Sequence, residues 1–409
     1  MKKLLIIGFV WPEPKSSAAG SRMMQLISMF KDLNFEITFV STALNIEYSE
    51  NLNQYDIATK SILLNDSSFD VFCKNLNPDV VLFDRFLTEE QFGWRVIENC
   101  PTAVRILDTE DLHCLRLARQ NAVKNKVPFD VDNLLASDVA KREIASIYRC
   151  DLSLMVSEFE IDLLQNKLMM PSFLLYYLPL LIEKEPTNEI NFSDREDFVF
   201  IGNFLHEPNY DAVRYLHDCI WDGIRKQLPN AKMNIYGAYA TQKTLQLHQP
   251  LNNFFIKGRA ESAAEVLQNG KVLLAPIRFG AGIKGKLLEA MHHSIPSTTT
   301  SIGAESMHGT LPWNGSITDD PLEFIEKAVA LYTNEPTWNE AVQNGHVIIK
   351  KRYLKSLFEA NFKQQISTLM QNYTIQRLKN STGMLLLHHT AMSTKYMSKW
   401  IEEKNKSKI

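Results

Sequence analysis

No run of about 18 consecutive apolar residues occurs in the 409-residue sequence, so none of it reads as a membrane-spanning helix. Cysteine is scarce: there are five, none spaced as CxxC, and the number is odd. That excludes a disulfide framework and a cysteine-rich zinc site, and it fits a reducing, cytoplasmic compartment. Charge of one sign is also missing. The net charge of −3 gives no global basic field for nucleic acid. HExxH and the P-loop GK[ST] are absent, as is a paired-aspartate motif, so no metal site is expected, and His388-His389 read as structural. The opening "MKKLLIIGFVWPEPKSSAAG" imitates a secretion signal. Its apolar run, Leu4 to Val10, lies at the lower limit for a signal core, however, and Trp11-Pro12-Glu13 breaks it at once. The run reads as a first buried strand followed by a loop.

What is present is a strand-helix alternation. Apolar strands at Leu4–Val10, Glu36–Val40, Pro78–Asp84, Ala103–Asp108 and Asp151–Ser157 are interleaved with helical patterns such as Ser21–Leu33. After a polar stretch, Glu183–Asp197, the alternation restarts with "FVFIGN", "KMNIYG", "NFFIKG" and "KVLLAP". Short apolar strands alternating with helices mean parallel sheets covered on both faces. The expected class is α/β, with two doubly wound domains over 1–182 and 198–365. A helical tail over 366–409 should pack back across both. On that tail Leu385, His388, Met392, Tyr396 and Trp400 form one stripe, which needs a partner surface.

In such sheets ligands bind beyond the carboxyl ends of the strands. One such place holds "RFGAGIKGKLLEAM", Arg278 to Met291. Gly280 and Gly282 let backbone approach a ligand closely. Lys284 and Lys286 neutralise a polyanion, and the helix that follows offers free N–H groups. Together they describe a diphosphate cradle, with Glu289 suited to sugar hydroxyls. The competing reading is a glycine-rich loop with two solvated lysines. "DTEDLH", Asp108 to His113, follows another strand. It suits proton handling or hydroxyl positioning, or else an acid-rich helix N-terminus. "SAAGSR" places Gly20, Ser21 and Arg22 either at the cleft or in a plain strand-to-helix turn capped by Ser21.

The donor stretch, then "IPSTTTSIGAES", resembles the donor-site signature of retaining group 1 glycosyltransferases of the GT-B fold. "AAGSRMMQLISMF", "DLSLMVSEFE", "FVFIGN", "MNIYGAY" and "FFIKGRAE" follow in the expected order over roughly residues 1–365. The resemblance implies two Rossmann-like domains facing across a cleft. A nucleotide-diphosphate sugar would bind the second domain, through Gly202, Arg278, Gly280, Gly282, Lys284, Lys286 and Glu289. A hydroxyl acceptor, glycan or glycolipid, would bind the first. It further implies Asp108 and His113 near the reacting centre and a role in polysaccharide or glycolipid assembly. The lysines and the missing aspartate pair lead to the expectation of no metal or other cofactor, and peripheral membrane contact is left open, with no strongly basic amphipathic helix to support it. The pattern departs at three places: the family's first glutamate falls on Ala281, its arginine and lysine after the first strand of the second domain are replaced by "GNFLHEPNYD", and Asp108 stands where the family often has a histidine. A nucleotide-sugar epimerase and a non-catalytic nucleotide-sugar binding subunit stand as alternatives.

Overall fold

The computed structural model describes residues 1–187 and 191–406. Part of the polar linker, 188–190, lies outside the described residues. The first seven strands are β1 Lys2–Gly8, β2 Phe35–Ser41, β3 Ala58–Ser61, β4 Val80–Asp84, β5 Val104–Asp108, β6 Leu152–Met155 and β7 Leu175–Tyr177. They form one sheet in the order 3-2-1-4-5-6-7, every pair parallel. Six more follow: β8 Glu196–Ile201, β9 Met233–Tyr236, β10 Phe254–Gly258, β11 Gly270–Ala275, β12 Ser297–Thr299 and β13 Gly315–Ile317. These make a second parallel sheet, order 10-9-8-11-12-13. In both sheets the order reverses beside the first strand, so each has a switch point between β1 and β4 or between β8 and β11.

Central strands are buried from end to end because helices cover both faces. Leu4 to Ile7 and Val80 to Phe83 are fully enclosed, as are Val272 to Ala275. The first helix is Ala18–Asp32, three residues earlier than the sequence pattern indicated. Ser17, not Ser21, is its cap and accepts from Gly20 N at 3.0 Å, while Ser21 Oγ bonds to Pro14 O. Ser157 and Asp320 cap the helices that follow them.

The tail departs from expectation in two ways. The chain leaves the second sheet at Tyr353, where Ile182 N donates to Tyr353 O at 2.8 Å. The Glu359–Lys379 helix then returns to the first sheet, with Phe362 edge-on to Phe30 and Ile366 and Leu369 in the same core. Residues 359–365 therefore already pack on the first sheet, and the tail settles there rather than across both sheets. Arg377 fixes it by two bonds to Asp151, each 2.7 Å. In the second departure, the Ser381–Lys406 helix packs with the face opposite to the one expected. Gly383 and Ser398 are buried, whereas Leu385, His388, Met392, Tyr396 and Trp400 face solvent. The reason lies in the contacts on the packed side: Ser398 accepts from Arg95, Asn380 bonds to Tyr148 O, and Lys395 pairs with Glu98.

Phe362→Ala should lower unfolding stability by about 3–5 kcal/mol, because it opens a cavity under the first sheet. Trp400→Ser should change it by less than about 0.5 kcal/mol. Urea unfolding of the two variants checks both values.

Candidate active site

Strand ends of the two sheets face each other across a cleft of about 710 Å³. On the second-domain side, β8 ends at Ile201-Gly202 and the Glu207–Tyr215 helix begins at once, while β11 is followed by a loop and the Gly285–His292 helix. Both helices start at the cleft, so N–H groups of their first turns point into it unpaired within the helix. The loops after β8 and β9 touch: a Cβ on Gly237 would lie 2.1 Å from Gly202 O.

Lys284 precedes the Gly285–His292 helix and is buried, its Nζ donating to Gly282 O at 2.9 Å. Lys286 donates to Asn209 Oδ1 and lies 5.0 Å from the centre of the Phe200 ring. Asn209 is itself held by a 2.7 Å bond to Asn203 O. Burial pushes both ammonium groups down to about 8, and burial pushes the Glu289 carboxyl up to about 7, against the pull of Lys286. Lys284, Lys286, Glu289, Gly202 and Gly280 all line the cleft.

Two residues of the expected donor set lie elsewhere. Arg278 turns to the outer wall, donates twice to Asp211 and lies 4.7 Å from the centre of the Tyr215 ring. Gly282, at φ 62°, seats against Asp111 and gives its N–H to Glu160 Oε1 at 2.8 Å. The same Glu160 oxygen accepts from Leu112 N at 3.0 Å. Gly282 thus joins the two domains instead of cradling a ligand. Ala281 lines the cleft yet packs into the first domain's core.

The first-domain wall is more charged than the sequence indicated. Asp108 is wholly buried behind it. Arg22 donates to both Asp108 oxygens, at 2.8 to 3.1 Å, and to Leu178 O and Pro179 O. This arginine lines the cleft with Gly20, while Asp108 acts through it. His113 does reach the cleft. Burial holds its imidazole down to about 4, so it is neutral at pH 7, and its Nε2 lies 3.5 Å from Asp111 Oδ1. Arg116 pairs with the other Asp111 oxygen, and His206 from the second domain lines the same part of the cleft.

Sequence reasoning passed over Asp84 and Arg85 at the end of β4, and did not single out Glu110 beyond β5. Arg85 at φ 69° and Glu110 at φ 58° are both left-handed, and they pair with each other at 2.5 Å. Residues held in that region cluster at functional sites. Asp84 accepts from Phe9 N, and its second oxygen, buried at the cleft, has no hydrogen-bond partner. The available signal was the aspartate that closes "PDVVLFD", the same feature that drew attention to Asp108. Contacts also span the cleft edges: Glu13 accepts from Tyr239 Oη at 2.9 Å, and Arg119 bonds to Gly280 O and to both Glu305 oxygens.

Residues 195–334, the second sheet and its helices, match the family model described as glycosyl transferases group 1. A Klebsiella pneumoniae protein, described as an uncharacterized 44.6 kDa protein in the cps region, is 22% identical over 304 residues, 69% of this chain and 74% of that protein. Sucrose-phosphate synthase from Thermosynechococcus elongatus superposes with a TM-score of 0.67 at 13% identity, over 91% of this chain and 100% of that one. An S. aureus TarM variant in complex with fondaparinux, alpha-GlcNAc-glycerol and UDP gives 0.66 at 11%, over 90% and 100%. Anabaena HepE with UDP and glucose gives 0.65 at 12%, also over 90% and 100%. The fold is accordingly of the GT-B type, two Rossmann-like domains facing across a cleft.

Asp108→Asn should cost about 3–5 kcal/mol of stability by leaving Arg22 buried beside a neutral partner. His113→Ala should leave the thermal midpoint nearly unchanged. Differential scanning calorimetry of both variants separates the buried tie from the cleft-lining group.

Proposed function

We propose that this chain is a glycosyltransferase moving a sugar from a nucleotide-diphosphate donor to a hydroxyl of a glycan or glycolipid, with retention at the anomeric carbon. The observation that carries the reading is the group formed by Lys284, Lys286 and Asn209 with two helix N-termini, set across the cleft from a wall that carries Glu110 and Asp111. Cations and N–H groups favour a diphosphate and stabilise it further as it departs with full charge. The bond from the anomeric carbon to the phosphate oxygen breaks, and a bond to the acceptor oxygen forms. The family match over residues 195–334 and the GT-B fold support the same reading. UDP is the first nucleotide to test, since TarM and HepE were both solved with it.

Glu289 accepts the ribose hydroxyls in this account. Ala281, packed against the first domain, brings no carboxylate to read the donor sugar. That task passes to the opposite wall, where Asp111, Glu110 and His113 stand. Lysines take the part a divalent ion plays elsewhere, so no metal is needed. The five free cysteines accord with a cytoplasmic setting. The cps-region relative gives capsule or related polysaccharide assembly as the process to examine first.

Lys284→Ala and Lys286→Ala should each weaken UDP binding about ten- to hundredfold in calorimetry. Glu289→Gln should weaken it too, whereas a glutamate used only in the chemical step would leave UDP affinity intact. UDP release from a donor sugar should require an acceptor, which separates transfer from epimerisation, and should persist in EDTA. Loss on chelation with recovery by magnesium would contradict the metal-free account.

The pH dependence has a defined sign. Glu289 must be ionised to accept hydroxyls, so UDP affinity rises as pH climbs through about 7. The lysines must be charged, so affinity falls as pH passes about 8. Calorimetry across this range should give a maximum between the two, and Glu289→Gln should lose the acid limb alone.

A further inference from the structure

Two thiols stand together in the first domain, away from the cleft. Cys73 lies on the Ser68–Leu76 helix, and Cys100 caps the C-terminus of the Arg85–Asn99 helix. Their sulfurs are 3.4 Å apart, although 27 positions separate them in the chain. Both are buried, and neither lines the cleft. Contacts in step hold the two helices side by side. Phe69 packs on Phe92 with ring centres 4.8 Å apart, and Asp70 pairs with Arg95 at 2.6 Å. Arg95 is fixed in turn by Ser398 of the last helix. Neighbours that contain no sulfur therefore keep the two sulfurs in reach of each other.

We propose that Cys73 and Cys100 form a redox site, closing to a reversible disulfide when a peroxide reaches the first domain. Cys100 is the sulfur attacked first. It is followed by the exposed Pro101 and Thr102, whereas Cys73 is wholly enclosed. The Cys100 thiol donates to Cys73 O at 3.3 Å, which leaves the Cys73 thiol to donate across the pair. That hydrogen bond holds the Cys100 thiol below its ordinary range, against burial, and pushes Cys73 well above its own. The Cys100 thiolate takes one peroxide oxygen, the O–O bond breaks, and the departing hydroxide leaves as water once protonated. Cys100 is then a sulfenic acid. Cys73 attacks its sulfur, the S–S bond forms, the S–O bond breaks, and the hydroxide carries off the Cys73 proton as a second water. Two thiols are oxidised by two electrons and one peroxide is reduced to two waters. A resolving thiol this close stops Cys100 short of the irreversible sulfinic acid. Transient bonds of this kind are the ones a reducing compartment allows. The bridge closes a loop that contains β4 and, at its end, Asp84 and Arg85 of the cleft wall, so oxidation stiffens that unit.

The test treats the native full chain with hydrogen peroxide, blocks the remaining thiols with N-ethylmaleimide and maps the peptides without reductant. Cys219, the exposed cysteine, reports how far the reagent has acted. A linked Cys73–Cys100 peptide is expected, together with a thermal midpoint raised by at least about 3 °C, both reversed by dithiothreitol. Cys73→Ser keeps a donor beside Cys100 and removes the resolving sulfur. In that variant Cys100 should go on to sulfinic acid and the midpoint should not rise. The proposal is overturned if Cys73 and Cys100 remain free thiols at a peroxide dose that consumes Cys219, or if the linked peptide forms only in urea. A rise in midpoint that persists in Cys73→Ser would overturn it as well.

Discussion

Two ammonium groups stand at the cleft without a carboxylate within ion-pairing distance among the described residues. Lys284 and Lys286 rest on a carbonyl and an amide oxygen instead. A buried charge with no carboxylate in direct contact is costly, and burial lowers the affinity of both lysines for their protons even against the pull of Glu305 on Lys284 and of Glu289 on Lys286. A chain keeps such an arrangement when something else supplies the negative charge. A diphosphate does so with two groups at once, and the helix N-termini beside the lysines favour the same guest. Much of the surrounding structure serves to hold this arrangement: Asn203 fixes Asn209, Asn209 fixes Lys286, and the close contact of Gly202 with Gly237 brings the loops together.

The opposing wall is organised by a different means. Arg22 spends its donors on Asp108 and two carbonyls, which ties the first helix to the end of β5 and to the chain beyond β7. Glu160 reaches N–H groups from both domains, at Leu112 and at Gly282, so the two walls are registered by one carboxylate. That contact explains the glycine: the backbone is left-handed, and a Cβ placed there would lie only 2.9 Å from the Asp111 side chain. Between the walls, one oxygen each of Asp84 and Asp111 makes no hydrogen bond, with Arg85 and His113 3.7 and 3.5 Å away; such oxygens suit a polyhydroxylated guest.

Much of this was legible in the sequence, for physical reasons. Strands such as Leu4–Val10 and "KVLLAP" are buried on both faces and read as unbroken apolar runs. The cradle lysines follow directly from a strand end, so their place beyond the sheet was fixed by topology. β3, β7 and β13 were not legible: Ala58–Ser61 is exposed throughout, and the other two are three residues long. Local pattern also failed wherever a partner distant in sequence decides. Asp108 looks like a cleft acid until Arg22 is seen to claim it. Arg278 looks like a phosphate ligand until Asp211 does the same. The tail stripe read as a packing face because apolar residues ordinarily pack, yet Ser398 and Lys395, polar in the sequence, make the contacts.

The central claim is that a nucleoside diphosphate lies with its phosphates on Lys284, Lys286 and the start of the Gly285–His292 helix, and its ribose on Glu289. A crystal structure of the full chain with UDP tests this most directly. The account predicts phosphate oxygens at hydrogen-bond distance from the Lys286 ammonium and the first-turn N–H groups, with Glu289 accepting from ribose hydroxyls. UDP bound in another part of the molecule, or in the cleft with its phosphates turned to Arg85 and Arg116 instead, would contradict it.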